Sequence, residues 1–199
     1  MKYNIIYADP PWSYRRTVGQ GVVSKKYETM EDKDIYELPI SELANTNCAL
    51  ICWITFPKII EGVTAIQRWG FEIKTLFASW IKINKNFDLS QQSFLPYDSI
   101  PSFFGIGSYT RSNCEVCLLA IKGNMHQFVK RNNISSIVFA PITNHSEKPK
   151  EVRNMITDLF GDLPRIELFA TQKHEGWDSI GYEIDGKDIN ESLKEIIEK

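Results

Sequence analysis

No apolar stretch of this chain approaches the roughly 18 residues that a membrane-crossing helix needs, so no span is expected. The first residues run directly into a strand pattern and lack a charged-then-apolar leader, so no signal peptide is expected either. An excess of one charge is also missing: 23 Lys and Arg stand against 25 Asp and Glu, a formal net charge of -2. That balance argues against a protein that coats nucleic acid by bulk electrostatics, while leaving room for a local basic cluster to do so. Cysteine is sparse, with Cys48, Cys52, Cys114 and Cys117 making four. The Cys114-x-x-Cys117 spacing suggests a metal or redox pair, but it lies in the apolar strand run 114–120, where positions three apart face opposite sides. The expectation is therefore packed thiols in a reducing cytoplasm, with no metal site. No Gly-x-Gly-x-x-Gly follows a strand pattern, so a dinucleotide site is not indicated. Repeats and low-complexity tracts are absent, and 199 residues accommodate one α/β domain over 1–199 but not two.

What is present begins with Asp9-Pro10-Pro11-Trp12, placed straight after the apolar run 3–8. Such a run predicts a buried parallel strand whose carboxyl end opens into a rigid loop, and ligands of open α/β sheets bind at that edge. The two prolines remove N–H donors, which predicts carbonyls, together with the Asp9 carboxylate, free to accept hydrogen bonds from an amine. Trp12 would offer a flat face on which a heterocycle stacks. Residue by residue, the same tetrapeptide also fits an N-capping Asp, a Pro-Pro turn and a core Trp.

Further apolar runs predict strands over 48–54, 115–121, 136–140 and 165–170, and 72–83 reads as another. Helical periodicity covers 59–69 and 151–160, the second starting after Lys148-Pro149 and stopping at Gly161. Alternating strands and helices imply a Rossmann-like, doubly wound and mainly parallel sheet. Two stretches read as long loops. Residues 13–26 carry Arg15, Arg16, Lys25 and Lys26 beside the proposed site and suit substrate phosphates. Residues 84–107 intersperse Phe87, Phe94, Tyr97, Phe103 and Phe104, which would stack on bases or plug the fold.

The motif resembles the signature of adenine amino methyltransferases. The chain as a whole resembles the MT-A family, which holds the writer of N6-methyladenosine in mRNA and its bacterial and phage relatives. Tyr27-Glu28-Thr29-Met30, Trp69-Gly70-Phe71-Glu72, Trp80-Ile81-Lys82, Gly107 to Glu115, Lys122-Gly123-Asn124, His145 to Pro149 and Arg165-Ile166-Glu167-Leu168-Phe169 stand in the family's order, across about residues 3 to 186. The resemblance implies a circularly permuted fold of the S-adenosyl-L-methionine-dependent type. It implies methylation of the N6 amine of adenine in nucleic acid, with Asp9, Pro10, Pro11 and Trp12 catalytic and Tyr27 lining the substrate site. It places the methyl donor on Asp9, on Lys148 for the methionine carboxylate and on Glu167 for the ribose hydroxyls. The family's Arg-x-x-Asn is replaced by Thr171-Gln172-Lys173-His174, and Tyr182-Glu183 stands for its Asn-Gln, making Thr171, Tyr182 and Glu183 the adenosine candidates. His145-x-x-Lys148-Pro149 has two residues inserted relative to the family's His-Lys-Pro. A cytosine-carbon methyltransferase would need a Cys after Pro, and none of the four stands there. The expected substrate is DNA ahead of RNA, and a homodimer or a methyltransferase-like partner subunit is compatible with the reading. The alternatives are an RNA adenine methyltransferase, a non-catalytic partner subunit, and a small-molecule or protein-glutamine enzyme, whose usual motif is Asn-Pro-Pro-Tyr.

Overall fold

A computed structural model describes residues 2–14, 29–85, 102–103, 105, 109–143 and 147–198. Seven strands form one sheet: β1 (Tyr3–Ala8), β2 (Ala44–Ile54), β3 (Glu72–Ile83), β4 (Cys114–Lys122), β5 (Ile137–Pro141), β6 (Arg165–Leu168) and β7 (Asp178–Ile180), in the spatial order β5-β3-β4-β2-β1-β6-β7. β1 pairs in parallel with β2 and β6, β6 with β7, and β3 with β5, while β4 runs antiparallel between β2 and β3. The α/β, mainly parallel architecture expected from the sequence is therefore present.

The buried run of β1 explains why its sequence is apolar without alternation. Ile6 and Ala8 pack on one side of the sheet with Leu50, Cys52, Ile54, Ile166 and Leu168. Ile5 and Tyr7 pack on the other with Ala49, Ile51 and Trp53. A strand covered on both faces has no polar side to show. Helices α1 (Asp32–Tyr36), α2 (Ile40–Leu43), α3 (Ile59–Arg68) and α6 (Ile189–Ile197) cover the first face through Ile35, Leu43, Ile66 and Leu193. Helix α4 (Lys150–Phe160) covers the second through Val152, Ile156 and Phe160, and ends at Gly161, whose φ of 78° is a conformation glycine adopts without strain.

β2 begins four residues before the expected start: Ala44 pairs with Tyr3, and the polar stretch Asn45-Thr46-Asn47 forms an irregularity before regular pairing with β1 resumes at Ala49. The strand β7 and the helices α5 (Tyr182–Asp185) and α6 were not read from the sequence. α6 nevertheless had a signal: Asp188 caps it, accepting from the Asn190 N–H at 2.8 Å, ahead of a stripe formed by Ile189, Leu193 and Ile196. Cys117 is buried and Cys114 exposed, the opposite-face placement that strand spacing requires.

α3 packs so closely on β2 that a Cβ on Gly62 would lie 2.5 Å from Ile54 Cδ1 and 2.8 Å from its Cγ2. Ile54 is 1% exposed and has no open direction in which to yield. Gly62→Ala is therefore expected to destabilise the protein by about 1–3 kcal/mol despite the better helix propensity of alanine, read as a lower urea midpoint.

Candidate active site

All parallel strands end at one edge, and the reversed β4 begins there. Asp9 follows β1 at this edge, Thr55 follows β2, and Glu115 is the second residue of β4. Lys148 stands two residues before α4, whose N-cap is Pro149. Lys148 Nζ donates to Asp9 Oδ2 at 2.5 Å and lies 3.4 Å from Glu115 Oε2. Glu115 Oε1 also accepts from Lys82 Nζ. The ammonium of Lys148 rests 5.6 Å from the ring centroid of Trp53, and its side chain is only 10% exposed.

These groups shift one another unequally. Burial pulls the Lys148 ammonium down, but Asp9 and Glu115 outweigh it and hold its pKa above the ordinary lysine value. Burial pushes Glu115 up, yet Lys148 and Lys82 together leave it below the usual carboxylate range. For Asp9 burial wins: Lys148 only partly offsets it, nearby Glu115 adds repulsion, and the carboxyl stays raised. Two carboxylates that share one cation are thus driven apart, the pattern by which sites assign separate roles to like groups.

The catalytic loop departs from expectation in two ways. Neither proline carbonyl is free: that of Pro10 accepts the Trp12 N–H at 2.9 Å and that of Pro11 accepts the Met30 N–H at 2.9 Å. A turn inside the loop consumes one lone pair of the Pro10 carbonyl and docking of the chain at Met30 one of the Pro11 carbonyl, leaving a second on each for a ligand. Trp12 is 4% exposed and packs into the core, so its ring is not presented as an open stacking face. Tyr14, more exposed, reaches across to hydrogen-bond the Thr55 hydroxyl.

A second ion pair lies along the same face. Glu167 on β6 is opposite Tyr7 of β1 in the sheet register. Its two oxygens accept from Arg153 of α4, Oε2 from Nε at 2.8 Å and Oε1 from Nη2 at 2.6 Å. His174 stands near both partners. Burial, reinforced by Arg153, lowers its pKa, so it is neutral at pH 7. Its Nε2 is buried with no hydrogen-bond partner among the described residues. Phe169, after β6, has a φ of 60°, an unusual value for a non-glycine residue that marks a constrained chain reversal. The Ala170 N–H donates to the Ile180 carbonyl at 2.9 Å, and a Cβ on Gly181 would fall 2.4 Å from the Ala170 carbonyl oxygen. This close approach brings Thr171 and the Tyr182-Glu183 pair to neighbouring strand ends, all three exposed.

The structure therefore gathers Asp9, Lys148 and Glu167 on one sheet edge, with Thr171, Tyr182 and Glu183 at its β6–β7 end. Tyr27, Arg15, Arg16, Lys25, Lys26 and His145, along with most of the 84–107 loop, lie outside the described residues. Sequence reasoning missed Glu115, Lys82, Arg153 and His174. Glu115 had a signal as a charge opening an apolar strand run. So did Arg153, which sits between Val152 and Ile156 on the buried stripe of its helix.

The sign of each shift gives a test. Glu115 has a depressed folded pKa, so its ion pairs contribute stability above the ordinary carboxylate range and lose it as pH falls through the folded value. Asp9 has a raised folded pKa, so its charge opposes folding at neutral pH and that penalty vanishes on acidification. In urea melts at pH ~7, Glu115→Gln is expected to cost roughly 2–4 kcal/mol, a gap that narrows towards pH ~3, while Asp9→Asn costs less, because relief of the buried Asp9 charge offsets part of what Lys148 loses.

Comparison with known proteins agrees with this geometry. The MT-A70 family model matches residues 3–183. The type II methyltransferase M.MunI of a Mycoplasma species is 30% identical over 201 residues, covering 92% of this chain and 78% of that protein. The N(6)-adenosine-methyltransferase MT-A70-like of Arabidopsis thaliana is 27% identical over 96% of this chain and 25% of its own length. The human N(6)-adenosine-methyltransferase catalytic subunit METTL3 is 26% identical over 93% and 29%. The chain thus spans most of the bacterial relative and between a quarter and a third of these two eukaryotic ones. With the family model matching nearly the whole chain, and Asp9 placed at the carboxyl edge of the sheet, the protein belongs to the MT-A70 family.

Proposed function

We propose that this protein transfers a methyl group from S-adenosyl-L-methionine to the N6 amine of adenine in nucleic acid, with DNA as the favoured substrate. The observation that carries the reading is Asp9: a raised carboxyl at the mouth of a rigid Pro-Pro turn, backed by a buried ammonium. DNA is favoured because the chain covers most of a type II methyltransferase, while it covers less than a third of the adenosine methyltransferases above. No described helix is long and apolar enough to cross a membrane, and we place the activity in the cytoplasm. A second copy of the chain or a methyltransferase-like subunit is the partner class that the family reading allows.

The residues present fit the donor. Lys148 suits a carboxylate, Glu167 suits vicinal hydroxyls, and the orphaned Nε2 of His174 supplies a polar group in search of a partner. Thr171, Tyr182 and Glu183 line the strand ends beyond Glu167 and suit the adenosine moiety. The donor supplies an electrophilic methyl on a positively charged sulfur; what remains is to make a poor nucleophile attack it. An adenine amine has its lone pair delocalised into the ring. Asp9 accepts one amino hydrogen and the second lone pair of the Pro10 carbonyl accepts the other. These bonds draw the nitrogen towards tetrahedral geometry and aim its lone pair. The bound donor would give up its methyl and keep the C–S electron pair, and Asp9 would accept the proton that the alkylated nitrogen sheds before passing it to water. Orientation and fixed charge of this kind lower barriers by several kcal/mol, with no covalent enzyme intermediate.

Asp9→Ala is expected to cut methyl transfer by about 10²–10³-fold, well beyond any loss in S-adenosylhomocysteine binding that follows from freeing Lys148, because the carboxylate acts on the target amine. Labelled-donor assays on single- and double-stranded DNA and RNA, paired with calorimetry, make the measurement, and near-wild-type turnover would remove the mechanism. Replacing Arg15, Arg16, Lys25 and Lys26 by Ala is expected to flatten the salt dependence of polynucleotide binding by about one unit of slope per lost phosphate contact, leaving donor affinity unchanged.

A further inference from the structure

Arg153 is absent from the donor-contact set above, yet it holds both oxygens of Glu167, and the two side chains are 8% and 7% exposed. Resting on the reading of Glu167 as the ribose-binding carboxylate, we propose that Arg153 is a positioning residue. It sets the plane of the Glu167 carboxylate so that the remaining lone pairs of both oxygens meet two adjacent hydroxyls of a ribose.

Several contacts make this a fixed device rather than a casual pair. The guanidinium approaches side-on, through Nε and Nη2, and so defines one orientation of the carboxylate plane, which a lysine point charge would not. Its Cζ lies 5.3 Å from the ring centroid of Tyr7, and the Tyr7 hydroxyl accepts from Trp53 Nε1 at 2.6 Å. The platform beneath the guanidinium is therefore itself locked into β2. Glu167 lies opposite Tyr7 in the strand register, so both partners of the fork are referenced to the same residue. Each oxygen has spent one acceptor site on Arg153 and keeps another. Two acceptors at fixed spacing match a vicinal diol, and they lose half of their complement against a deoxyribose.

The test compares ligands rather than activities. S-adenosylhomocysteine and its 2′-deoxyribose analogue are titrated calorimetrically into the full-length wild type and Arg153→Lys, with melting curves confirming the fold. The wild type is expected to prefer the ribose ligand by at least about tenfold, as for one charge-assisted hydrogen bond. Arg153→Lys should weaken the ribose ligand about tenfold more than the deoxy analogue, which has only one hydroxyl contact to lose, collapsing the preference. A loss of equal size for both ligands, or no loss for either, would overturn the proposal and leave Arg153 as a structural ion pair. Should the lysine variant fail to fold, Arg153→Gln repeats the comparison with the same two outcomes. A wild type that binds the donor product without distinguishing the two sugars would take down the reading of Glu167 along with the proposal. A wild type that binds neither would overturn the methyltransferase function itself.

Discussion

A cation withdrawn from water organises the carboxyl edge of the sheet. Lys148 is nearly inaccessible, and desolvating an ammonium costs several kcal/mol unless fixed counter-charges offset it. The offset comes from three directions: Asp9 after β1, Glu115 at the start of β4, and the face of Trp53 on β2. Meeting this need holds the catalytic loop, two strands and the start of α4 in one arrangement. Of the two carboxylates, Glu115 is the settled counter-ion, because Lys82 supports it as well. Asp9 remains the uneasy partner, with part of its side chain still open to solvent. A group held in that state is available to a ligand that offers it something better.

α4 extends the same logic along the sheet. Lys148 sits just before its first turn and Arg153 one turn into it, so a single helix delivers two cations to carboxylates on the adjacent strands β1 and β6. The apolar contacts of Val152, Ile156 and Phe160 with the sheet set the height of both. Stability and site geometry therefore share a cause: whatever moves this helix moves both ion pairs.

The sequence made the scaffold largely readable where burial leaves a pattern. The runs at 3–8 and 48–54 are apolar because both faces are covered there, the run at 115–121 pairs on both edges although only Cys117 and Ala120 are fully buried, and the helices at 59–69 and 151–160 announce themselves through spacing and a terminal glycine. Strand direction left no such trace. Nothing in the composition of β4 distinguishes a parallel strand from an antiparallel one, since either pairs its backbone with both neighbours. Short or exposed elements such as β7 and α5 bury too little to imprint a period. At the site, Asp9, Lys148 and Glu167 were legible through the family's motifs. The partners that orient them were not, because Glu115, Lys82 and Arg153 meet their targets only across strands. The fate of Trp12 and the proline carbonyls was hidden for a related reason: the chain around Met30 docks on the loop and takes contacts that looked available to a ligand.

The reversal of β4 has a consequence in time as well as in space. Run in the opposite direction, a strand of nine residues would have carried Glu115 to the far margin of the sheet, roughly 20 Å away. As built, the charged cluster recruits residues 9, 82, 115 and 148 from four separate parts of the chain, none adjacent to another in sequence. Contacts between such distant segments are entropically slow to form and come together only when the long-range pairings of the sheet do. The buried charges are then compensated only in the finished molecule. A chain emerging from synthesis has no assembled catalytic edge until its last third has docked, so the onset of activity coincides with the completion of folding.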